Sequence, residues 1–112
     1  MKLISTIICP IKLDEMKRIA DLFGGHGITI SSVMGCGTQK GQKNNFKGIS
    51  TEINLLPKIK VEMYVDDEQV EPILDAIYKK ISTGTIGDGK VAIIDIEDMM
   101  RIRTGERGKK AI

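Results

Sequence analysis

At 112 residues the chain has the length of a single domain. A net charge of +2 and an aromatic content of 4% supply neither the basic surface nor the stacking platforms of a nucleic-acid binder. No apolar run is long enough to span a bilayer, no secretion signal is evident after Met1, and Cys9 and Cys36 form no C-x-x-C, so the expectation is a cytoplasmic protein with reduced thiols.

Met1 to Cys9 is a short apolar, β-branched run closed by Pro10, which predicts a buried strand. From Leu13 the period changes. Met16, Ile19, Ala20 and Phe23 recur at helical spacing with charges between them, and Gly24-Gly25 ends that helix. Gly27 to Gly35, rich in Ile, Thr, Ser and Val, predicts a second strand. A loop follows from Gly37 to Leu56: Gly37 to Gly48 is polar and without periodicity, and Ser50 to Leu55 alternates enough to extend a hairpin at the loop base. Connections of that length inside a small domain are functional or disordered, and its composition predicts mobility until a partner orders it. Phe46 and Lys47 near its tip are what a partner could grip.

Lys58 to Val65 is the clearest strand: Ile59, Val61, Met63 and Val65 alternate with Lys58, Lys60, Glu62 and Tyr64. Asp66-Asp67 opens a second helix whose Val70, Ile73, Leu74, Ile77 and Ile81 share one face, with Pro72 placed early, where its missing N–H does least harm. Lys90 to Ile96 is the fourth strand. The order βαββαβ predicts an α+β ferredoxin-like sandwich over residues 1–112, two helices on one face of an antiparallel sheet. Its other face stays bare, and Ile4, Ile8, Ile28 and Ile30 are expected there as apolar residues inviting a closed homo-oligomer.

The last third carries the chemistry. Thr83 to Lys90 reads T-G-T-I-G-D-G-K, and Arg101-Ile102-Arg103 follows the fourth strand. Glycines let backbone approach a phosphate chain closely, and Lys90, Arg101 and Arg103 bring fixed positive charge. The same spacing also fits a tight turn followed by a solvated basic tail. A lone His26 without an acid–base partner argues against a Ser-His or Cys-His hydrolase.

Gly35 to Gly41, Leu56 to Lys60, Thr83 to Lys90 and Arg101 to Gly108 together resemble the PII nitrogen-regulatory proteins, over the whole length and without a detectable gap. The resemblance implies a cytoplasmic, non-catalytic homotrimer that senses ATP, ADP and 2-oxoglutarate. It makes residues 37–55 the partner-contacting T-loop, 83–90 a phosphate-cradling loop and 101–112 the C-terminal segment. Gly87, Asp88, Gly89 and Lys90 would surround the phosphates together with Thr38, Arg101 and Arg103. Thr29, Gly37 and Tyr64 would border adenine and ribose. Gln39 would hold Mg²⁺ when 2-oxoglutarate binds, Lys58 would pair with a carboxylate of that ligand, and Lys40, Gly41 and Gly87 would complete its surroundings. The implied targets are an ammonium channel first, then glutamine synthetase or a nitrogen regulator protein, with membrane contact only through the channel and none with nucleic acid.

Three positions depart from the family pattern. Thr38 stands where an arginine usually reaches the phosphates, and a hydrogen bond to a charged group contributes ~1.5–3 kcal/mol, so ATP affinity about ten-fold lower is implied unless Lys40 compensates. Thr51 replaces the tyrosine that many bacterial members modify, and Ile49 aligns with a position phosphorylated in other members but has no hydroxyl, which implies control by ligands alone. Lys47 replaces an arginine that enters channel pores; it keeps the charge and loses bidentate bonding. Two rivals remain: a PII-like regulator with another effector or target, and a small ferredoxin-like enzyme such as an acylphosphatase, for which no arginine–asparagine pair on one phosphate loop is found.

Overall fold

The computed structural model describes residues 1–25, 27–36 and 55–112. Four strands, β1 (Lys2–Ile8), β2 (Thr29–Cys36), β3 (Leu55–Val65) and β4 (Lys90–Asp95), alternate with helices α1 (Leu13–Leu22) and α2 (Val70–Ile81) in the expected order. The sheet runs β2-β3-β1-β4 with every neighbouring pair antiparallel, the ferredoxin-like arrangement. β1 pairs with β3 from Lys2↔Val65 to Ile8↔Ile59, while β2 pairs with β3 as far as Cys36↔Leu55. The β2–β3 hairpin therefore projects past the end of β1. Of the expected hairpin extension, Ser50 to Asn54 lie outside the described residues.

Alternation on β3 sends Val61, Met63 and Val65 into the core, where they meet Met16 and Ile19 of α1 and Ile73, Ile77 and Ile81 of α2. The helix expected from Asp66-Asp67 begins as a 3-10 turn over Asp67–Gln69 and becomes α-helical at Val70, which puts Pro72 in its first turn. Gln69 fastens that start. Its side-chain Oε1 accepts the Asp66 N–H at 3.2 Å, and its Nε2 donates to the carbonyl of Phe23, at the end of α1, at 2.9 Å.

The apolar residues assigned to the bare face need correction. Ile4 and Ile8 are 0% and 1% exposed beneath the helices, and Ile28 packs against the same core. Ile30 lies directly opposite Val61 and so shares the helix face, at the sheet edge where the helices no longer cover it. The uncovered face instead carries Leu3, Ser5 and Ile7 of β1, Lys58, Lys60, Glu62 and Tyr64 of β3, Val33 of β2, and Ala92 and Ile94 of β4. It is still substantially apolar along β1 and β4. β1 is hydrophobic on both faces, so its pattern carried no information about which residues face the helices.

Thr6 is the one buried polar residue among the described core, fully enclosed, and its hydroxyl has no hydrogen-bond partner. A buried polar group left unpaired costs about 1–3 kcal/mol. Thr6→Val keeps the shape and removes that penalty, so urea denaturation should show a gain of about 1 kcal/mol. A loss of stability would mean that the hydroxyl is satisfied in solution.

Candidate functional site

The loop from α2 to β4 is built around one carboxylate. Asp88 Oδ2 accepts the backbone N–H of Thr83 at 2.8 Å and of Gly84 at 2.9 Å, and Oδ1 accepts the Thr83 hydroxyl. Thr83 Oγ1 also lies 2.6 Å from Thr85 Oγ1. These donors, the Thr83 hydroxyl foremost, hold the Asp88 carboxyl below the ordinary carboxylate value of 3.8. The Asp88 side chain thus shapes the loop from within, its oxygens turned to the loop's own donors.

Because the folded pKa is depressed, the stabilisation is complete above the ordinary carboxylate range and disappears only as pH falls through the lower, folded value. The Thr83 and Gly84 amide resonances should therefore stay constant from neutral pH to about pH 4 and shift only below it. Thr83→Val, which deletes the hydroxyl donor, should move that transition upward. Loss of the amide positions above pH 5 would contradict the arrangement.

Two glycines bring this loop against the sheet. Gly87 and Gly89 have φ of 102° and 105°, a left-handed region that side chains avoid. A Cβ on Gly89 would lie 1.8 Å from the carbonyl oxygen of Ile7, so β4 can start beside β1 only because none is there. Lys90 then pairs with Ile7 on the uncovered face.

Lys58 reaches the same loop from β3. Its ammonium donates to the Gly87 carbonyl at 2.8 Å and lies 3.4 Å from Cys9 Sγ, while the Cys9 thiol donates to that carbonyl at 3.2 Å. Gly35 on β2 leaves room for the lysine stem: a Cβ there would stand 3.2 Å from Lys58 Cγ. Sequence reasoning assigned no role to Cys9 or Thr83. The spacing of Thr83 and Asp88 within one loop was a usable signal for Thr83, whereas nothing local pointed to Cys9.

The other candidate residues gather elsewhere. Thr29 opposes Glu62, and Tyr64 opposes Leu3, itself opposite Ile94, at the end of the sheet where β4 finishes. The segment after β4 folds back through a Met100↔Arg107 bridge, closed by the Gly105 N–H donating to the Arg101 carbonyl at 2.7 Å. Arg101 donates from Nη2 to the Ile112 carbonyl at 2.8 Å and faces Glu106 at 3.8 Å. Arg107 pairs with Asp98 and, as the leading cause, keeps that carboxyl below its ordinary value. Arg103 is exposed in the turn and has no ion pair among the described residues. From Lys90 to Asp95 the strand advances about 17 Å at ~3.3 Å per residue. One chain therefore joins Lys58 with residues 87–90 at one end of its sheet and sets Thr29, Tyr64, Arg101 and Arg103 at the other. Gly37, Thr38, Gln39, Lys40, Gly41, Phe46, Lys47 and Thr51 lie outside the described residues.

What the first group offers is an ammonium, close-approaching backbone and an anchored turn, a combination suited to anionic oxygens. Among the described residues no three His, Cys, Asp or Glu side chains converge as metal ligands, and no helix is long and apolar enough to cross a membrane.

The chain is a ferredoxin-like sandwich with a glycine-turned loop before β4 and a long β2–β3 connection. The family model described as Nitrogen regulatory protein P-II matches residues 1–106. Nitrogen regulatory protein P-II 2 of Methanothermobacter thermautotrophicus is 46% identical over 112 residues, covering 100% of this chain and 97% of that protein. Nitrogen regulatory protein P-II of Rhodospirillum rubrum is 45% identical with both chains fully covered. The crystal structure of Arabidopsis thaliana PII bound to citrate superposes with a TM-score of 0.78 at 32% identity, covering 99% of this chain and 91% of that one. The chain belongs to the nitrogen regulatory protein P-II family, and its relatives are named as regulatory proteins.

Proposed function

We propose that this chain is a non-catalytic PII signal transducer, a cytoplasmic homotrimer that binds ATP or ADP competitively and 2-oxoglutarate only together with Mg-ATP. The observation that carries the reading is the Lys58 ammonium held at the Gly87 carbonyl, inside a loop whose glycines admit close backbone approach. That cation suits a carboxylate placed next to phosphate, where crowded negative charge needs both a metal and a lysine. The candidate metal ligand is Gln39, with phosphate and dicarboxylate oxygens as the further donors that Mg²⁺ would require.

Two features support a site shared between copies. The second cationic group, with Arg101 and Arg103, sits at the far end of the same sheet, so another protomer is needed to bring it to residues 87–90. The uncovered face, with Leu3, Ile7 and Ile94, gives copies an apolar surface on which to associate. Arg101 would have to leave the Ile112 carbonyl to meet a phosphate. Ligand state would then set residues 37–55, whose Lys47 and Phe46 would engage an ammonium channel first, or glutamine synthetase or a nitrogen regulator. Control would come from ligands without covalent modification.

Sedimentation equilibrium should give three times the chain mass, and calorimetry should show ATP binding alone but 2-oxoglutarate binding only with ATP and Mg²⁺ present. A stable monomer at micromolar concentration removes the shared site; 2-oxoglutarate binding without nucleotide removes the bridging cation. The citrate held by the Arabidopsis protein favours one second reading, that a different polycarboxylate is the effector. Citrate titrated beside 2-oxoglutarate separates the two.

A further inference from the structure

Three polar atoms meet where β1 ends: the Lys58 ammonium, the Gly87 carbonyl oxygen and the Cys9 sulfur. Cys9 directly follows β1 and precedes Pro10, and its backbone is extended at φ −63° and ψ 141°, as a residue before proline prefers. Ile8 pairs with Ile59, so one position further on Cys9 comes beside Lys58. The Lys12 N–H donating to the Cys9 carbonyl at 3.0 Å fixes the thiol's backbone from the other side. An ammonium has three N–H donors. One reaches the Gly87 carbonyl at 2.8 Å, and a second faces the Cys9 sulfur at 3.4 Å. The thiol in turn donates to the same carbonyl at 3.2 Å, which two lone pairs allow. The triangle closes on itself and leaves one N–H of Lys58 for an outside acceptor.

We propose that Cys9 is a positioning residue for carboxylate binding at Lys58: its thiol holds the ammonium in place before the ligand arrives. A lysine has a long flexible stem, and fixing it at the moment of binding subtracts from affinity. Two anchors that fix it beforehand remove that cost, which is preorganisation. Both atoms of the anchor are uncharged, so neither competes with a carboxylate for the lysine as an acidic neighbour would. The inference rests on the reading of Lys58 as the 2-oxoglutarate lysine, but the contact on which it stands exists without any ligand.

The test compares the full-length protein with Cys9→Ala, which deletes the anchor, and Cys9→Ser, which restores a donor and an acceptor at the same place. Ligand-free protein labelled at lysine and at backbone amides is read first by NMR. The two Lys58 Cε protons should be distinct in the parent and in Cys9→Ser, and averaged in Cys9→Ala, with the Thr83 and Gly84 amides unmoved in all three. Calorimetry in saturating Mg-ATP should then show 2-oxoglutarate about five-fold weaker in Cys9→Ala, the equivalent of one ordinary hydrogen bond, and largely recovered in Cys9→Ser. ATP affinity should not change. Cε protons already averaged in the parent, or still distinct in Cys9→Ala, would overturn the inference. Undiminished 2-oxoglutarate affinity in Cys9→Ala would overturn it too and leave the ligand reading standing, and equal weakening of ATP would mean that Cys9 merely supports the loop. A parent protein with distinct Cε protons that binds no 2-oxoglutarate would instead remove the ligand reading, and with it the task assigned to Cys9.

Discussion

Gly89→Ala is expected to lower the unfolding free energy by more than about 3 kcal/mol. Two penalties coincide there. The backbone sits at φ 105°, where a side chain costs about 1–3 kcal/mol. The new Cβ would lie 1.8 Å from the Ile7 carbonyl oxygen and 2.9 Å from its carbon, so main chain rather than a flexible side chain must give way. Relief requires separating β4 from β1, which breaks the Lys90↔Ile7 pairing and drags the 83–89 loop from its place. Gly84→Ala is the matched control. Its φ of 77° carries strain, but a Cβ there meets nothing within 4 Å. Urea unfolding at one fixed protein concentration, which matters for any oligomer, should show Gly84→Ala losing about 1 kcal/mol and Gly89→Ala far more. Equal losses would mean that strain alone acts at Gly89 and that the close approach to β1 is not the reason for the glycine.

The sequence carried the element order and β3 well because β3 alternates cleanly: lysines and a glutamate mark one face, and Val61, Met63 and Val65 mark the other. β1 was unreadable in that respect. Ile4, Ile7 and Ile8 are all apolar, since β1 lies mid-sheet with helices on one side and an apolar open face on the other. Only pairing with β3 decides which of them is core. The glycine–aspartate–glycine stretch was legible as a tight turn before β4, but the direction of the Asp88 carboxylate was not. It follows from Thr83 and Gly84 folding over it. The Lys58–Gly87 and Lys58–Cys9 contacts link residues 29 and 49 positions apart, and only strand register brings them together. Arg101 likewise looked available in the linear pattern; its bond to Ile112 depends on the tail folding back across its own turn.

Lys58→Met should abolish measurable 2-oxoglutarate binding while leaving ATP affinity within about two-fold, given that a lost bond to a charged group costs ~1.5–3 kcal/mol and an unpaired carboxylate more. Methionine reproduces the apolar stem that packs in the space Gly35 leaves, so the substitution removes charge with little change in shape. The loop should survive. Cys9 still donates to the Gly87 carbonyl at 3.2 Å, and the Asp88 bonds to Thr83 and Gly84 do not involve Lys58. Lys58→Arg sharpens the test, because it retains charge but replaces a compact ammonium by a planar fork that cannot occupy the same point between Gly87 and Cys9. It should recover part of the 2-oxoglutarate affinity and none of the geometry. Calorimetry with ATP first, then 2-oxoglutarate in saturating Mg-ATP, separates the outcomes. If Lys58→Met still binds 2-oxoglutarate, another cation holds its carboxylate. Should ATP and 2-oxoglutarate binding fall together, Lys58 acts on the cradle itself, through its bond to the Gly87 carbonyl, and the two ligands read a single loop.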